Sequence, residues 1–114
     1  MTHLSTKILA NVLDTPVIDF YIRSDDTITV WTNEKDSFFV NKYRFVHLAK
    51  VWAYNCIKKG SLFVLSGMDE TYFADLSFGN TIGGFRKTFN SSESEEDAVM
   101  MACDWLIDYK ATLS

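Results

Sequence analysis

The amino-acid sequence predicts an α+β fold in which meanders of antiparallel strands pack with two long amphipathic helices, in the order α-ββ(β)-α-βββ-α. Apolar residues recur at helical spacing in two long segments, and they alternate with polar residues in the segments between. In addition, 47% of the 114 residues are hydrophobic. A chain of this length supports one core, so residues 1–114 are expected to form a single domain, with residues 1–16 as a short N-terminal helix or arm.

The first helix is predicted to be short. Leu4, Ile8 and Val12 recur every four residues, which predicts a helix over residues 5–13. Pro16 prevents a long extension, because its ring does not fit the interior of a helix.

Period-two alternation follows this helix and predicts a β-hairpin over residues 17–23 and 27–32. In the first of these strands, Ile18, Phe20 and Ile22 are expected on one face, and the residues between them on the other. Residues 24–26 and 33–37 are rich in turn-forming residues, and residues 38–40 are compatible with a third short strand.

The second helix is predicted over residues 42–59. Asn41 is a suitable N-cap because its side chain can accept hydrogen bonds from the first free N–H groups, and Gly60 suits the C-terminal cap. One face of this helix carries the expected core residues Phe45, Leu48, Ala49, Trp52, Ala53 and Cys56.

Three further strands are predicted over residues 61–66, 71–78 and 84–89, followed by a helix over residues 95–112. Ser92 with Glu95, or Ser94 with Asp97, offers an N-cap arrangement for that helix. Its expected core residues are Ala98, Val99, Ala102, Trp105, Leu106 and Tyr109.

The charge balance disfavours direct binding to nucleic acid. Fifteen acidic and eleven basic residues give a formal net charge of −4, whereas nucleic-acid binding needs a basic face. Residues 1–14 do not have the pattern of a signal peptide, and no apolar run is long enough to cross a bilayer. We therefore expect a cytoplasmic protein without membrane contact, in which Cys56 and Cys103 are buried, reduced thiols.

The residue types needed for catalysis or for metal binding do not converge in the sequence. His3 and His47 are the only histidines, and no pair of histidines or cysteines has the spacing of metal ligands. The glycine-rich segment 79–84 precedes a predicted strand rather than the helix that a phosphate loop requires. We expect no cofactor and no enzymatic activity; the alternative is a small ligand-binding or enzymatic domain that uses Asp19, Asp75 or Arg86 in a cleft.

The α-βββ-α order of residues 42–112 resembles that of the double-stranded RNA-binding domain. In that family the second helix begins with lysines that bind phosphates. Here residues 92–97 read SESEED, which has the opposite charge.

The same segment, which contains the Ala-rich helix sequence EDAVMMACDWL at residues 96–106, is similar to small ABA-sandwich accessory proteins of bacteriophages and prophages. Many proteins of this class bind and disable a host factor. The resemblance implies a class of protein and assigns no functional residue.

Acidic clusters are the candidate binding feature. They occur at the start of the last helix and in two turns, and comprise Glu93, Glu95, Glu96, Asp97, Asp25, Asp26, Asp69 and Glu70. Acids are also common at helix N-termini for local electrostatic reasons, so this interpretation has an alternative. A second feature is an excess of aromatic residues that are expected away from the main core faces, namely Tyr21, Trp31, Phe38, Phe39, Tyr43, Tyr54 and Phe73. These rings would be either interface anchors or core residues.

The sequence therefore predicts a non-catalytic, acidic protein-binding module, monomeric or homodimeric. Its expected partner is a basic protein, such as a component of a nucleic-acid-binding complex. The more specific expectation is a phage or mobile-element inhibitor of a host defence protein, similar to an anti-CRISPR protein. An immunity protein that neutralises a nuclease toxin is an alternative with the same surface requirement.

Overall fold

The structure, a computed structural model, describes residues 1–57, 61–66, 72–78, 85–91 and 94–112. Its elements follow the predicted order, including the third strand before the second helix. The helices are α1 (Thr6–Leu13), α2 (Lys42–Ile57) and α3 (Glu95–Thr112). The strands are β1 (Asp19–Ile22), β2 (Thr27–Trp31), β3 (Ser37–Asn41), β4 (Ser61–Ser66), β5 (Tyr72–Phe78) and β6 (Phe85–Ser91). This arrangement confirms the α+β class.

In the described part of the chain the strands form two antiparallel, three-stranded sheets, β1-β2-β3 and β4-β5-β6. Each sheet is a meander in which consecutive strands are neighbours. The last helix, α3, contacts the second sheet as well as α1 and α2, while α2 contacts β3 and β4. Helix α2 therefore contacts both sheets, and α3 packs on the second sheet and on α2.

Local capping hydrogen bonds explain where the helices begin. The Ser5 hydroxyl accepts a hydrogen bond from the Ile8 N–H at 3.2 Å. The Asn41 Oδ1 atom accepts hydrogen bonds from the backbone N–H groups of Tyr43 at 2.9 Å and Arg44 at 3.2 Å. Each side chain satisfies N–H groups that have no partner within the first turn of the helix. The predicted N-cap at Asn41 is confirmed.

The first sheet separates its two faces by period-two alternation. Ile28, Val30 and Val40 are buried against the helices. On the opposite face, Tyr21 pairs with Thr29, and Thr29 pairs with Phe39. This register places Tyr21, Thr29 and Phe39 in one row across the solvent-facing side of the sheet.

The core of the described residues is formed by α1, the inner face of the first sheet, α2 and α3. It comprises Leu4, Ile8, Leu9, Ile28, Val30, Val40, Phe45, Val46, Ala49, Ala53, Ala98, Val99, Met100, Ala102, Cys103 and Leu106. Several predicted core residues are only partly buried at its edge, namely Leu48, Trp52, Cys56, Trp105 and Tyr109. Ile18 was expected on the same face as Phe20 and Ile22, which pack against the core, but it is mostly exposed because it precedes β1 at the edge of the sheet.

No helix among the described residues is long and apolar enough to cross a membrane.

Candidate protein-binding surface

The structure removes Asp97 from the predicted acidic surface. Its side chain is 1% exposed. It accepts a hydrogen bond from the His3 backbone N–H at 3.0 Å and another from the Ser94 hydroxyl at 3.1 Å. The Asp97 N–H in turn donates to Ser94 Oγ at 3.2 Å, which caps α3. Asp97 therefore holds the N-terminal segment against the start of α3, and assigning it to a partner-binding surface was wrong.

Electrostatics agree with this structural role. Burial acts to raise the pKa of the Asp97 carboxyl. The hydrogen bonds from His3 and Ser94 and nearby positive charge outweigh burial, so that the pKa of Asp97 lies below its ordinary value. The carboxylate is thus ionised and bonded inside the protein, where a partner cannot reach it.

The acidic turn between β1 and β2 lies beside the start of α2. Asp25 is exposed, whereas Asp26 is partly buried and its Oδ1 atom lies 3.1 Å from Lys42 Nζ. The bond from Asp26 raises the pKa of Lys42, and Glu96 is close enough to raise it further. Lys42 therefore offsets part of the charge of this acidic turn. Within the described residues, Asp25 and Glu95 are the exposed members of the predicted acidic set.

Asp26 also has a backbone role. Its φ angle of 65° is in the left-handed region, and its carbonyl accepts the Lys42 N–H at 2.7 Å. The side chain additionally accepts a 3.5 Å hydrogen bond from the Tyr43 hydroxyl. Asp26 thus connects the turn to the start of α2. The predicted site residues Asp69, Glu70 and Glu93 lie outside the described residues.

The outer face of the first sheet presents aromatic side chains to solvent. Tyr21 is 66% exposed and Phe39 is 63% exposed. Trp31 lies on the same face by alternation and is partly exposed. The Arg23 guanidinium lies over the Phe39 ring, 5.9 Å from its centroid. We call Tyr21, Arg23, Trp31 and Phe39 the aromatic sheet face.

Carboxylates occur in the turns at both ends of this sheet. Residues 19–42 contain five acidic residues, Asp19, Asp25, Asp26, Glu34 and Asp36, and three basic ones, Arg23, Lys35 and Lys42. At one end of the face, a hollow of about 290 Å³ is lined by Ile18, Asp19, Trp31, Asn33 and Glu34. The hollow combines an indole wall with two carboxylates beside the exposed rings.

The other predicted surface aromatics divide between helix and core. Tyr43 and Tyr54 are exposed on α2. Phe38 points to the opposite side of β3 from Phe39 and packs partly against the core. Phe73 lies in β5, and its side chain lies outside the described part of the molecule.

A second hollow, of about 350 Å³, lies beside the middle of α3. It is lined by His3, Phe89, Met101, Asp104, Trp105 and Asp108. The Trp105 ring stacks on Tyr109 with centroids 4.9 Å apart and packs against Phe89 at 6.0 Å. The Lys7 ammonium lies 2.8 Å from Asp104 and 3.4 Å from Asp108. Sequence patterns did not indicate this site, because its residues come from distant parts of the chain.

The thiols and acids of the described residues do not form a reactive cluster. Cys103 is buried, and its Sγ lies 3.8 Å from the Ala49 carbonyl, to which it donates. Burial, with smaller effects from Cys56 and Asp104, raises the pKa of the Cys103 thiol to about 12. No group of three or more histidine, cysteine or acidic side chains in the described ranges is placed to hold a metal ion.

Comparison of the chain with protein-family models, with curated proteins and with solved structures finds no match.

Proposed function

We propose that this chain is a non-catalytic protein-binding module that binds a basic protein through the aromatic sheet face. The observation that carries the proposal is the exposure of Tyr21 and Phe39 in one cross-strand row, each more than 60% exposed. Large exposed rings that share a sheet face are typical of binding surfaces, since water contact with them is unfavourable. Interface hot spots are enriched in tyrosine, tryptophan and arginine, which accompany Phe39 here.

The geometry of the face favours contact with a broad surface. Tyr21, Thr29 and Phe39 lie on three adjacent strands, which are spaced about 4.8 Å apart. Two rings so placed can be buried together by one partner, and each aromatic ring can bury about 150 to 250 Å². The Arg23 guanidinium lies over one side of the Phe39 ring, where the positive charge interacts favourably with the ring face.

The surrounding charge supports a basic partner over a second copy of the chain. A symmetric dimer through this face would bring two sets of surrounding carboxylates together. Like charges that face each other across an interface oppose binding, whereas a basic surface would be attracted to the exposed Asp25, Glu34 and Asp36. Attraction of this kind acts mainly on the rate of association and weakens with salt.

We also propose a more specific role: an inhibitor that covers the basic groove of a nucleic-acid-handling protein of a phage host. The support is the acidic surrounding of the aromatic sheet face together with the resemblance of residues 42–112 to phage accessory proteins. A nucleic-acid-binding groove is lined with basic side chains, so an acidic module with central aromatic anchors suits it.

Affinity capture with matched variants tests the proposal. Tagged wild-type chain, the Tyr21→Ser/Phe39→Ser variant and the Tyr54→Ser control are incubated with the same cell lysate. The control removes a 56% exposed ring on α2. We expect wild type and the control to retain the same basic protein, and the double variant to lose it. Retention should weaken as salt rises from about 0.05 M to 0.5 M, because charge screening increases.

Two results would contradict the proposal. One is capture of the same proteins by all three chains. The other is a homodimer, seen by analytical ultracentrifugation of the wild type, that dissociates in the Tyr21→Ser/Phe39→Ser variant; this would assign the aromatic sheet face to a second copy.

A further inference from the structure

The hollow beside α3 combines an aromatic wall with a pair of carboxylates. Trp105 and Phe89 line it together with Asp104 and Asp108. Aromatic faces and carboxylates are the two kinds of group that bind organic cations, the first through the ring quadrupole and the second through charge and hydrogen bonds. The lining therefore has the chemistry of a site for a cationic side chain.

The placement of the two aspartates is unfavourable for α3 itself. Asp104 and Asp108 are one turn apart on the same side of the helix, and like charges at this spacing repel. Aspartate is also among the weaker helix-forming residues in a helix interior. The helix alone gives no reason for this pair, which is explained if the two carboxylates act together on a cation.

The structure shows that the pair holds an ammonium group. Lys7 Nζ lies within 3.4 Å of both carboxylates, and the bond with Asp104 is the largest effect raising the pKa of Lys7. The side chains of Lys7, Asp104 and Asp108 are 44%, 51% and 71% exposed, so solvent screens this ion pair and another cation can replace Lys7. Lys7 is thus an internal cation that an external one can displace.

We propose that this hollow binds an arginine side chain of a protein partner, in competition with Lys7. A guanidinium group is planar, so it can lie along the Trp105 indole while its N–H groups donate to the carboxylates. An ammonium group lacks the flat face and would gain only the contact that Lys7 already makes. A basic protein is the class of partner in the proposed function as well, but arginine binding to this hollow can be measured without a partner protein.

The probe is N-acetyl-arginine methylamide, titrated into the ¹⁵N-labelled full chain and followed through the indole N–H signal of Trp105. This signal is assigned by comparison with Trp105→Phe. The neutral isostere N-acetyl-citrulline methylamide and the matching lysine compound are titrated in parallel. We expect arginine to shift the Trp105 signal at millimolar concentration, lysine to bind more weakly, and citrulline to leave the signal unchanged.

Two variants of the hollow and one matched control make the test specific to this site. Asp104→Asn should weaken arginine binding about three- to tenfold, whereas Asp14→Asn, which removes one exposed charge at the C-cap of α1 and outside both hollows, should not change it. Lys7→Met should tighten binding by about threefold or more, because it removes the competing cation. The ¹⁵N spectrum of each variant establishes that it is folded.

Three results would overturn the inference. Citrulline could bind as well as arginine, or binding could shift signals remote from Trp105. Alternatively, Lys7→Met could leave the affinity unchanged or weaken it. None of these results involves Tyr21 or Phe39, so the inference and the proposed function can fail separately.

Discussion

The Asp97 carboxylate accepts a hydrogen bond from the backbone N–H of His3 at 3.0 Å, although the two residues are 94 positions apart. The same side chain is fixed by Ser94 at the start of α3. Replacement of Asp97 by Ala leaves the partly buried His3 N–H and Ser94 hydroxyl without these partners. We expect Asp97→Ala to lower the free energy of unfolding by about 2 to 3 kcal/mol, measured by chemical denaturation. Glu95→Ala, an exposed acid in the same helical turn, should change it by less than about 0.5 kcal/mol.

The low pKa of Asp97 predicts how this contribution depends on pH. A carboxyl whose pKa in the folded state lies below its ordinary value of 3.8 stabilises the fold above that value. The contribution is lost as pH falls through the lower pKa of the folded state. The difference in unfolding free energy between wild type and Asp97→Asn should therefore be constant above about pH 5 and shrink in more acidic solution. A difference that grows on acidification would contradict the ionised, bonded state of Asp97.

The positions of the helices and strands could be predicted because their signals are local. Asn41 and Ser94 cap the helices that follow them, and period-two alternation marks the strands of the first sheet. The acidic surface could not be predicted in the same way. Asp97 is acidic and lies in a first helical turn, like Glu95, but it is buried by the N-terminal segment, whose position depends on the tertiary fold.

The hollow beside α3 and the orientation of the first sheet also depend on tertiary contacts that the sequence pattern does not give. Lys7 meets Asp104 and Asp108 only because α1 packs on α3, and the spacing of these residues in sequence does not indicate the contact. For the aromatic sheet face, alternation separates Phe38 from Phe39 but does not say which ring faces the core. That choice depends on where the helices pack, and they pack against the face that contains Val40.

Adjacent residues of β3 provide a direct test of the sheet orientation. Phe39 is 63% exposed and Val40 is 9% exposed. We expect Phe39→Ala to lower the free energy of unfolding by less than about 1 kcal/mol, since most of the ring is in water in both states. Val40→Ala removes two buried methyl groups and should cost about 1 to 3 kcal/mol. Denaturant unfolding of both variants measures the difference, and a larger loss for Phe39→Ala would show that the sheet faces the other way.

Replacement of the α2 N-cap residue should lower the free energy of unfolding, whereas a similar replacement further along α2 should not. Asn41 Oδ1 accepts two backbone N–H groups, and Ala cannot replace them. Asn41→Ala should lower the unfolding free energy by about 1 kcal/mol. Asn55 is exposed within the same helix, where Ala has the higher helix propensity, so Asn55→Ala should be neutral or slightly stabilising. Equal losses in the two variants would mean that the Asn41 cap does not form in solution.

The raised pKa of Cys103 predicts that its reactivity reports on unfolding. With a pKa of about 12, roughly one Cys103 thiol in ten thousand is ionised at pH 8, and the thiolate is the form that reacts with alkylating reagents. The Cys103 side chain is also buried where α3 packs on α2, against the Ala49 carbonyl, whereas Cys56 is only partly buried. Iodoacetamide at pH 8, with peptide mass spectrometry, should therefore modify Cys56 in the native protein and modify Cys103 at a comparable rate only in denaturant. Rapid modification of Cys103 in native conditions would contradict the packing of α3 against α2.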